Sequence, residues 1–350
     1  MPRKQVEVGG TIGHLAASPW GRRQVLAAFF GILTTRVTAA GQRRFRIAFA
    51  NLNDDPSARV EGLGFNGAEV RRSFELASRT VPVDMIYYDN AGDPEAALAN
   101  ADDAVGRKVD LLIEYNSDAE ANAEIARKLK AAAIPVLALN YPVPGAPLYA
   151  ADNTLAGAIA GKALGEFAKQ TWADHTVVAV VAGDLADPAA YVPQRVQGIT
   201  DGLHKNLPGM TITRLDTSGN PVRVDGLLSK FLASQPRTKV LIATLDDPTA
   251  IAAKGAIERA ARMGDCIIVS QGLDHSVHGG ANDKKEIDPN NRGSVILGSV
   301  AYYVDRYGYE VLPLAMKMLD GEQIPERSNT RHILVSAKNV FTEYPPYDMN

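Results

Sequence analysis

The chain has 350 residues, with 37 basic and 40 acidic side chains and a formal net charge of −3. The first 40 residues hold five basic side chains and one acidic one, so 32 basic and 39 acidic residues remain beyond them and give a net charge of −7. A mildly acidic chain without Lys and Arg clusters is not expected to bind nucleic acid. The remaining stretch of about 310 residues exceeds one typical domain and predicts two lobes.

The first 40 residues are typical of a cleaved export signal. Arg22 and Arg23 precede a short apolar run over 25–33, and Val37 and Ala39 have the spacing that a signal peptidase requires. The apolar run is far shorter than the ~20 residues of a membrane-spanning helix, so we expect no stable membrane insertion. The sequence therefore predicts a periplasmic protein, with Sec and twin-arginine export both open.

Apolar runs rich in Val and Ile alternate with Ala-rich amphipathic stretches along the rest of the chain, which is the pattern of parallel strands joined by crossover helices. In the first half, strands are predicted over 45–50, 83–88, 111–115 and 136–140, and helices over 57–78, 93–107 and 119–132. The second half has strands over 177–182, 210–215, 240–243 and 266–270 and helices over 194–206, 224–235 and 248–263, followed by strand 294–300, helix 306–319 and strand 332–335. The sequence thus predicts an α/β protein of two doubly wound, parallel-sheet lobes.

Polar side chains follow the predicted strands where each strand ends. In doubly wound sheets, ligands bind outside the carboxyl ends of the strands, because loops converge there and helix N-termini face the same space. The residues at these positions are Asn51, Asn53, Asp54, Asp55, Asn116, Asp118, Asn140, Tyr141, Asp246, Asp247 and Asp274. Any one of them could merely cap the following helix. Their recurrence across five strand ends favours a site for a neutral, hydroxyl-rich molecule.

Several segments together resemble the type 1 periplasmic binding proteins, and in particular the sugar-binding branch related to ribose-binding protein. These segments are Asp54-Asp55-Pro56, Ala132 to Val136, Ala150-Ala151-Asp152-Asn153, Gln194 to Gly198, Thr244 to Asp247, Gly272-Leu273-Asp274 and Ser299 to Gly308. The resemblance implies two lobes joined by a three-strand hinge, with crossovers near 152–154, 302–304 and 328–332. The implied lobes are residues 41–153 plus 303–330, and residues 154–302 plus 331–350.

The resemblance also implies ligand contacts and a function. The implied ligand-binding residues are Asp55, Asn116, Asn140, Tyr141, Arg195, Asp246, Asp274 and Tyr302. Some positions depart from the family pattern: Ser57 and Ala58 replace two ring-stacking aromatics, Pro193 replaces a sugar-clamping Arg, Asn140-Tyr141 replaces Asp-Arg, and Tyr302 replaces a common Gln. The implied protein is a monomeric receptor that binds a sugar, polyol or similar molecule for an ABC importer permease. It is not an enzyme and uses no cofactor or metal.

Alternative functions remain open at this point. The segment from Gly62 to Gly67 matches a dinucleotide fingerprint, with Asp89 placed to hold a ribose, as in an exported nicotinamide oxidoreductase. That fingerprint needs its first glycine directly after the strand, whereas Ala50 lies twelve positions earlier, so these glycines are predicted inside the first helix. A solute sensor for a chemoreceptor or sensor kinase is equally compatible with the pattern. A lactose-repressor-type regulator would need a DNA-binding domain where the chain has its export signal.

The remaining motifs are predicted to be structural. Asp274, His275 and His278 lack the fixed helical or strand frame of a metal site and are predicted to be hydrophilic loop residues. Cys266, the one cysteine, lies in an apolar run and is predicted to be a buried thiol on a strand. The Gly157 to Ala163 segment lacks the Ser or Thr of a phosphate loop and is predicted to be helical.

Overall fold

The computed structural model describes residues 44–279, 286–288, 291 and 293–344. The predicted export signal therefore lies outside the described residues. The strands are β1 Phe45–Asn51, β2 Val83–Asp89, β3 Leu111–Glu114, β4 Val136–Leu139, β5 Leu148–Ala150, β6 Val177–Gly183, β7 Ile212–Asp216, β8 Lys239–Thr244, β9 Cys266–Gly272, β10 Ile296–Ala301, β11 Arg327–Asn329 and β12 Leu334–Ser336. The helices are α1 Gly67–Ala77, α2 Pro94–Gly106, α3 Ala119–Ala131, α4 Asn153–Thr171, α5 Tyr191–His204, α6 Val224–Ser234, α7 Asp247–Arg259, α8 His275–His278, α9 Tyr307–Leu319 and α10 Val340–Glu343.

Two six-stranded sheets organise the described chain. The first has the strand order β11-β5-β4-β3-β1-β2, and the second has the order β12-β10-β9-β8-β6-β7. Every pairing is parallel except that of β10 with β12. We call the parts built on these sheets the first and second lobes. The predicted fold of two doubly wound parallel-sheet lobes is confirmed.

The central strands bury both faces, as parallel strands covered by helices on each side must. All seven residues of β9 are buried, and Cys266 at its start is 2% exposed, which confirms the predicted buried thiol. The stretch from Gly157 to Ala163 lies within α4, so the predicted helix is also confirmed. Among the described residues, no helix has the length and hydropathy of a membrane-spanning segment.

The first predicted helix is wrong over its first ten residues. The helix α1 begins only at Gly67, where the Asn66 side chain accepts from the Glu69 N–H and the Glu69 side chain accepts from the Asn66 N–H. Such a capping box fixes a helix N-terminus, so residues 57–66 are left outside the helix. The strands β5 and β11 were also absent from the prediction, because each has only three residues and β11 is defined only by its pairing with the distant β5, Arg327 with Leu148.

Three crossovers join the sheets: β5 to α4, β10 to α9, and β11 to β12. His332 in the third crossover hydrogen-bonds to both of the others. Its Nε2 accepts from the Asp152 N–H at 3.0 Å, and its Nδ1 donates to the Ala301 carbonyl oxygen at 2.9 Å. One neutral imidazole therefore links all three segments of the hinge.

Candidate ligand-binding site

The chain between β1 and α1 folds as a hairpin over residues 59–66, which we call the cleft hairpin. Arg59 pairs with Asn66, the Val60 N–H donates to the Phe65 carbonyl at 3.0 Å, and the Leu63 N–H donates to the Val60 carbonyl at 3.0 Å. The two residues at its tip have positive φ, 56° at Glu61 and 58° at Gly62. Two consecutive positive φ values, with the turn closed by the hydrogen bond from the Leu63 N–H to the Val60 carbonyl, define a type I′ turn. This turn is the geometry that suits a tight hairpin.

The cleft hairpin belongs to the first lobe but contacts the second. The Glu61 carbonyl oxygen accepts from Arg195 Nη2 at 2.8 Å. A Cβ added at Gly62 would lie 2.7 Å from the Tyr191 hydroxyl, and one added at Gly64 would overlap the Asp274 carboxylate. The hairpin therefore lies directly between the lobes. The predicted position of these glycines inside the first helix is wrong, and they do not form a turn for a pyrophosphate directly after β1.

The Glu61 side chain points back into the first lobe. Only 8% of the residue is exposed, and its carboxylate accepts from the Tyr115 hydroxyl at 2.7 Å. Burial raises the pKa of the Glu61 carboxyl, while the Tyr115 hydrogen bond and the charge of Arg195 act to lower it. Asn140 donates to the same Tyr115 hydroxyl at 3.3 Å, and the Tyr141 ring stacks near that of Tyr115. Asn140 and Tyr141, two of the predicted ligand contacts, thus lie against Tyr115, which belongs to the protein itself.

Arg195 is buried, with 1% of the residue exposed, and its guanidinium is surrounded by protein groups. Its Nε donates to Asn153 Oδ1 at 2.8 Å and its Nη1 to the Leu245 carbonyl at 3.3 Å, besides the bond to Glu61. The guanidinium carbon lies 4.7 Å from the ring centre of Tyr191 and 4.8 Å from that of Tyr302. The structure therefore places this predicted residue as a clamp between the lobes.

Tyr302 and Asp274 are also engaged within the protein. The buried Tyr302 hydroxyl lies 2.8 Å from Gln271 Oε1 and 3.3 Å from Asn153 Oδ1. Asp274 caps α8 by accepting from the Ser276 N–H at 2.8 Å, and its own N–H donates to Asp247 at 2.7 Å. These contacts make both predicted residues part of the wall between the lobes.

Asp55 and Asn116 lie apart from the cleft hairpin's contacts. Asp55 is exposed and accepts from the backbone and hydroxyl of Ser57, each at 2.8 Å. Asn116 is 2% exposed and donates to Asn122 Oδ1 at 3.0 Å, while Asn122 donates back to the Asn116 carbonyl at 2.8 Å. Asn116 therefore orders the start of α3.

Two cavities lie beside the cleft hairpin. The first, which we call the acidic cavity, has a volume of about 200 Å³ and is lined by Arg59, Asp184, Asp187, Tyr191, Thr217 and Asp246, among others. The second, the amide cavity, has a volume of about 250 Å³ and is lined by Glu61, Asn140, Tyr141, Asn153, Gln194 and Arg327, among others. Of the predicted residues, Arg195 and Asp246 line the acidic cavity, and Asn140 and Tyr141 line the amide cavity.

The acidic cavity uses the carboxyl ends of three neighbouring strands. Asp184 follows β6, Thr217 follows β7, and Asp246 comes two residues after β8. Asp246 is 7% exposed and accepts from the Thr249 N–H at 2.7 Å, and burial raises the pKa of its carboxyl. Sequence reasoning missed Asp184 and Thr217, although the rule of strand ends would have found them had it been applied to β6 and β7.

The prediction of hydrophilic loop residues at His275 and His278 is wrong, because both lie in the short helix α8 and His278 is only 4% exposed. The His278 ring stacks on Tyr344 with the ring centres 4.1 Å apart. Among the described residues, no three His, Cys, Asp or Glu side chains are grouped so as to hold a metal ion.

Comparison with solved structures gives many matches. The glucose-galactose binding protein GanP from Geobacillus stearothermophilus is 20% identical, with a TM-score of 0.59 over 85% of this chain and 99% of that chain. A Bacillus halodurans C-125 ABC transporter solute binding protein with bound myo-inositol is 16% identical, with a TM-score of 0.62 over 87% and 98%. One from Bradyrhizobium sp. BTAi1 with bound Bis-Tris is 16% identical, with a TM-score of 0.69 over 88% and 88%. At these identities the likeness shows the fold.

Sequence comparison identifies the family. No curated protein sequence is significantly similar to the chain. The family model described as "Periplasmic binding protein domain" matches residues 65–323, which is well over half of the chain. The two sheets, the three crossovers and the cavities between the lobes agree with that match. The chain therefore belongs to the periplasmic binding protein family.

Proposed function

We propose that the protein is a receptor that binds a small hydroxylated solute, such as a sugar or polyol, between its two lobes and delivers it to an ABC importer. The observation that carries the proposal is the pair of polar cavities between the lobes of a chain from a binding-protein family. Carboxylate, amide and hydroxyl groups line these cavities, and such groups orient hydroxylated ligands by hydrogen bonds. Related folds solved with myo-inositol support the same class of solute.

The proposed mechanism is closure about the three crossovers. In the closed arrangement that we propose, Arg195 of the second lobe donates to the Glu61 carbonyl of the first, and this contact is present in the structure. A solute that contacts both lobes stabilises this arrangement relative to an open one, because it binds the closed form more tightly. The closed form then presents one continuous surface to a permease. Asn140, Tyr141, Arg195 and Asp246, which line the cavities, are the predicted residues that we retain as proposed contributors to the site.

The proposed location is the periplasm, with residues 1–40 removed on export. Mass spectrometry of the native protein is expected to find an N-terminus near residue 41, and an uncut chain in the cytosol would contradict the proposal. The proposed lobes are residues 41–153 plus 303–330, and residues 154–302 plus 331–350, in a monomer.

A thermal-shift screen tests the function. The purified protein is heated with a panel of sugars, polyols and amino acids, and each hit is titrated by calorimetry. A solute at 100 times its dissociation constant adds about 2.7 kcal/mol to the free energy of unfolding, which raises the melting temperature measurably. We expect a hit among the sugars or polyols with one solute per chain. A panel in which only amino acids bind, or in which nothing binds, would contradict the proposal.

A further inference from the structure

We infer that the solute binds in the acidic cavity rather than at the centre of the cleft, and that this cavity selects a polyhydroxylated molecule bearing an amino group. This inference rests on the proposed function and names the position and the chemical class of its ligand.

The centre of the cleft is filled by the protein itself. The cleft hairpin places Leu63, which is 0% exposed, between the lobes, and its tip hydrogen-bonds to Arg195. The Asp274 carboxylate lies so close to Gly64 that even a methyl group there would overlap it. A ring-sized solute cannot share this space with the hairpin.

The amide cavity has few polar groups left for a ligand. The Asn140 side chain already donates to Tyr115 at 3.3 Å and accepts from the Ala151 N–H at 3.3 Å. The Glu61 carboxylate accepts from Tyr115, and the Asn153 side chain accepts from Arg195. Groups that are already paired gain little by exchanging protein partners for a solute.

The acidic cavity, in contrast, has polar groups without partners. Thr217 is 1% exposed and lines the cavity, and within the part of the chain that the structure describes its hydroxyl makes no hydrogen bond. The Asp184 carboxylate, half-buried on the same wall, likewise forms no ion pair or hydrogen bond with any described residue. A hydroxyl or carboxylate that has no protein partner at the wall of a cavity is completed by a ligand or by water. These two groups therefore indicate where a solute is held.

The charges of the lining decide the class of solute. Three carboxylates, Asp184, Asp187 and Asp246, face two guanidinium groups, Arg59 and Arg195, which leaves one negative charge in excess. Arg195 is committed to protein acceptors, while Asp187 accepts from Tyr191 and Asp246 accepts from Thr249. Asp184 is therefore the lining carboxylate that is left to meet a solute. Ionised carboxylates only accept hydrogen bonds, so the matching ligand is rich in donors. An ammonium group among hydroxyls supplies both the donors and the compensating charge.

The volume of the cavity agrees with a small ligand. Its volume of about 200 Å³ corresponds to roughly seven water molecules at ~30 Å³ each. A solute of the size of a single hexose ring suits such a space, whereas an oligosaccharide does not.

Calorimetry with matched probes tests the inference. The probes are D-glucosamine, D-galactosamine and 1-amino-1-deoxysorbitol, each paired with its neutral counterpart D-glucose, D-galactose or sorbitol. We expect at least one amino member to bind about tenfold or more tightly than its partner. The Asp184→Asn variant keeps the shape of the side chain and removes its charge, and it is expected to abolish this preference.

A matched control separates local from general charge effects. Asp174→Asn makes the same change on an exposed residue before β6, whereas Asp184 follows that strand. The seven residues of β6 separate the two positions by roughly 23 Å at ~3.3 Å per residue. Asp174→Asn is therefore expected to leave the affinity for the amino probe unchanged, and melting curves of both variants check that they are folded.

The possible results separate a failure of this inference from a failure of the proposed function. Any of three results would overturn the inference. The first is that the amino probes bind no more tightly than their neutral counterparts, the second is that no amino probe binds at all, and the third is that the preference for the amino probe survives in Asp184→Asn. So would a greater loss of affinity in Asn140→Ala, in the amide cavity, than in Asp184→Asn. A neutral sugar that binds through the amide cavity would leave the proposed function intact. The proposed function itself fails only if no sugar or polyol of any charge binds.

Discussion

Arg195 makes three hydrogen bonds, one of which crosses to Glu61 in the first lobe, and its guanidinium lies against two aromatic rings. Lysine keeps the charge but cannot reproduce the planar fork or stack between rings, so the substitution leaves buried acceptors unpaired. We expect Arg195→Lys to lower the free energy of unfolding by about 2 kcal/mol or more, measured by urea titration. Arg223→Lys, on an exposed residue, is the control and should change it by less than about 0.5 kcal/mol. Equal effects of the two substitutions would show that Arg195 is not a clamp.

His332 makes the hinge sensitive to pH. Its Nε2 accepts from the Asp152 N–H, so the imidazole must be neutral in the folded protein, and burial lowers its pKa from the usual 6.5. In the unfolded chain the residue takes up a proton near pH 6.5. The unfolded state therefore binds more protons below that pH, and the stability contributed by His332 is present above pH 6.5 and lost as the pH falls.

The melting temperature of a variant without His332 is expected to depend less on pH than that of the parent protein. His332→Asn keeps a donor for Ala301 and removes the titration. Between pH 7.5 and 5.5, the melting temperature of the parent should fall further than that of the variant. At pH 7.5, the variant should have the lower melting temperature of the two. Parallel curves for the two proteins would rule out His332 as the titrating group.

At the scale of elements, the helices α4 and α5 depend on glycine for their close approach. A Cβ added at Gly161 would overlap the Ile199 carbonyl oxygen, and one added at Gly202 would overlap the Ala158 carbonyl oxygen. Both obstacles are backbone atoms, so the helices themselves would have to separate. We expect Gly161→Ala to cost about 1 to 3 kcal/mol in urea unfolding.

The control for this substitution lies on another helix. Gly226 in α6 is exposed, and a Cβ added there meets nothing within 4 Å. Gly226→Ala should therefore stabilise the protein by up to about 1 kcal/mol through helix propensity. If Gly161→Ala is stabilising as well, the two helices pack less tightly than the structure shows.

The order of the long strands and helices could be predicted from the sequence, because apolar runs and amphipathic stretches record burial directly. The cleft hairpin could not. Its turn requires a positive φ at Glu61, which no local propensity favours, and the hairpin is held by Arg195 and Tyr115 from distant parts of the chain. The strands β5 and β11 escaped prediction because three residues are too few to show a periodicity, and β11 is defined only by its pairing with the distant β5.

The candidate site was predicted in part. The rule of strand ends located Asn140, Tyr141 and Asp246, which line the cavities between the lobes. It also selected Asn116 and Asp274, which line neither cavity and whose side chains, like that of Asp246, order a helix N-terminus. A sequence pattern cannot separate a helix-capping residue from a ligand contact, because both follow a strand and both carry oxygen acceptors. Only the packing of the cleft hairpin reveals which of these positions remain accessible to a solute.

In the whole molecule, we expect a solute to link two lobes that rotate about three crossovers. Small-angle X-ray scattering of the purified protein, with and without a saturating solute from the thermal-shift screen, tests this claim most directly. We expect the radius of gyration to fall when the solute binds, because the bound form is the closed arrangement in which Arg195 meets Glu61. A radius of gyration that stays unchanged at saturation, although calorimetry shows that the solute is bound, would contradict closure of the lobes on the solute.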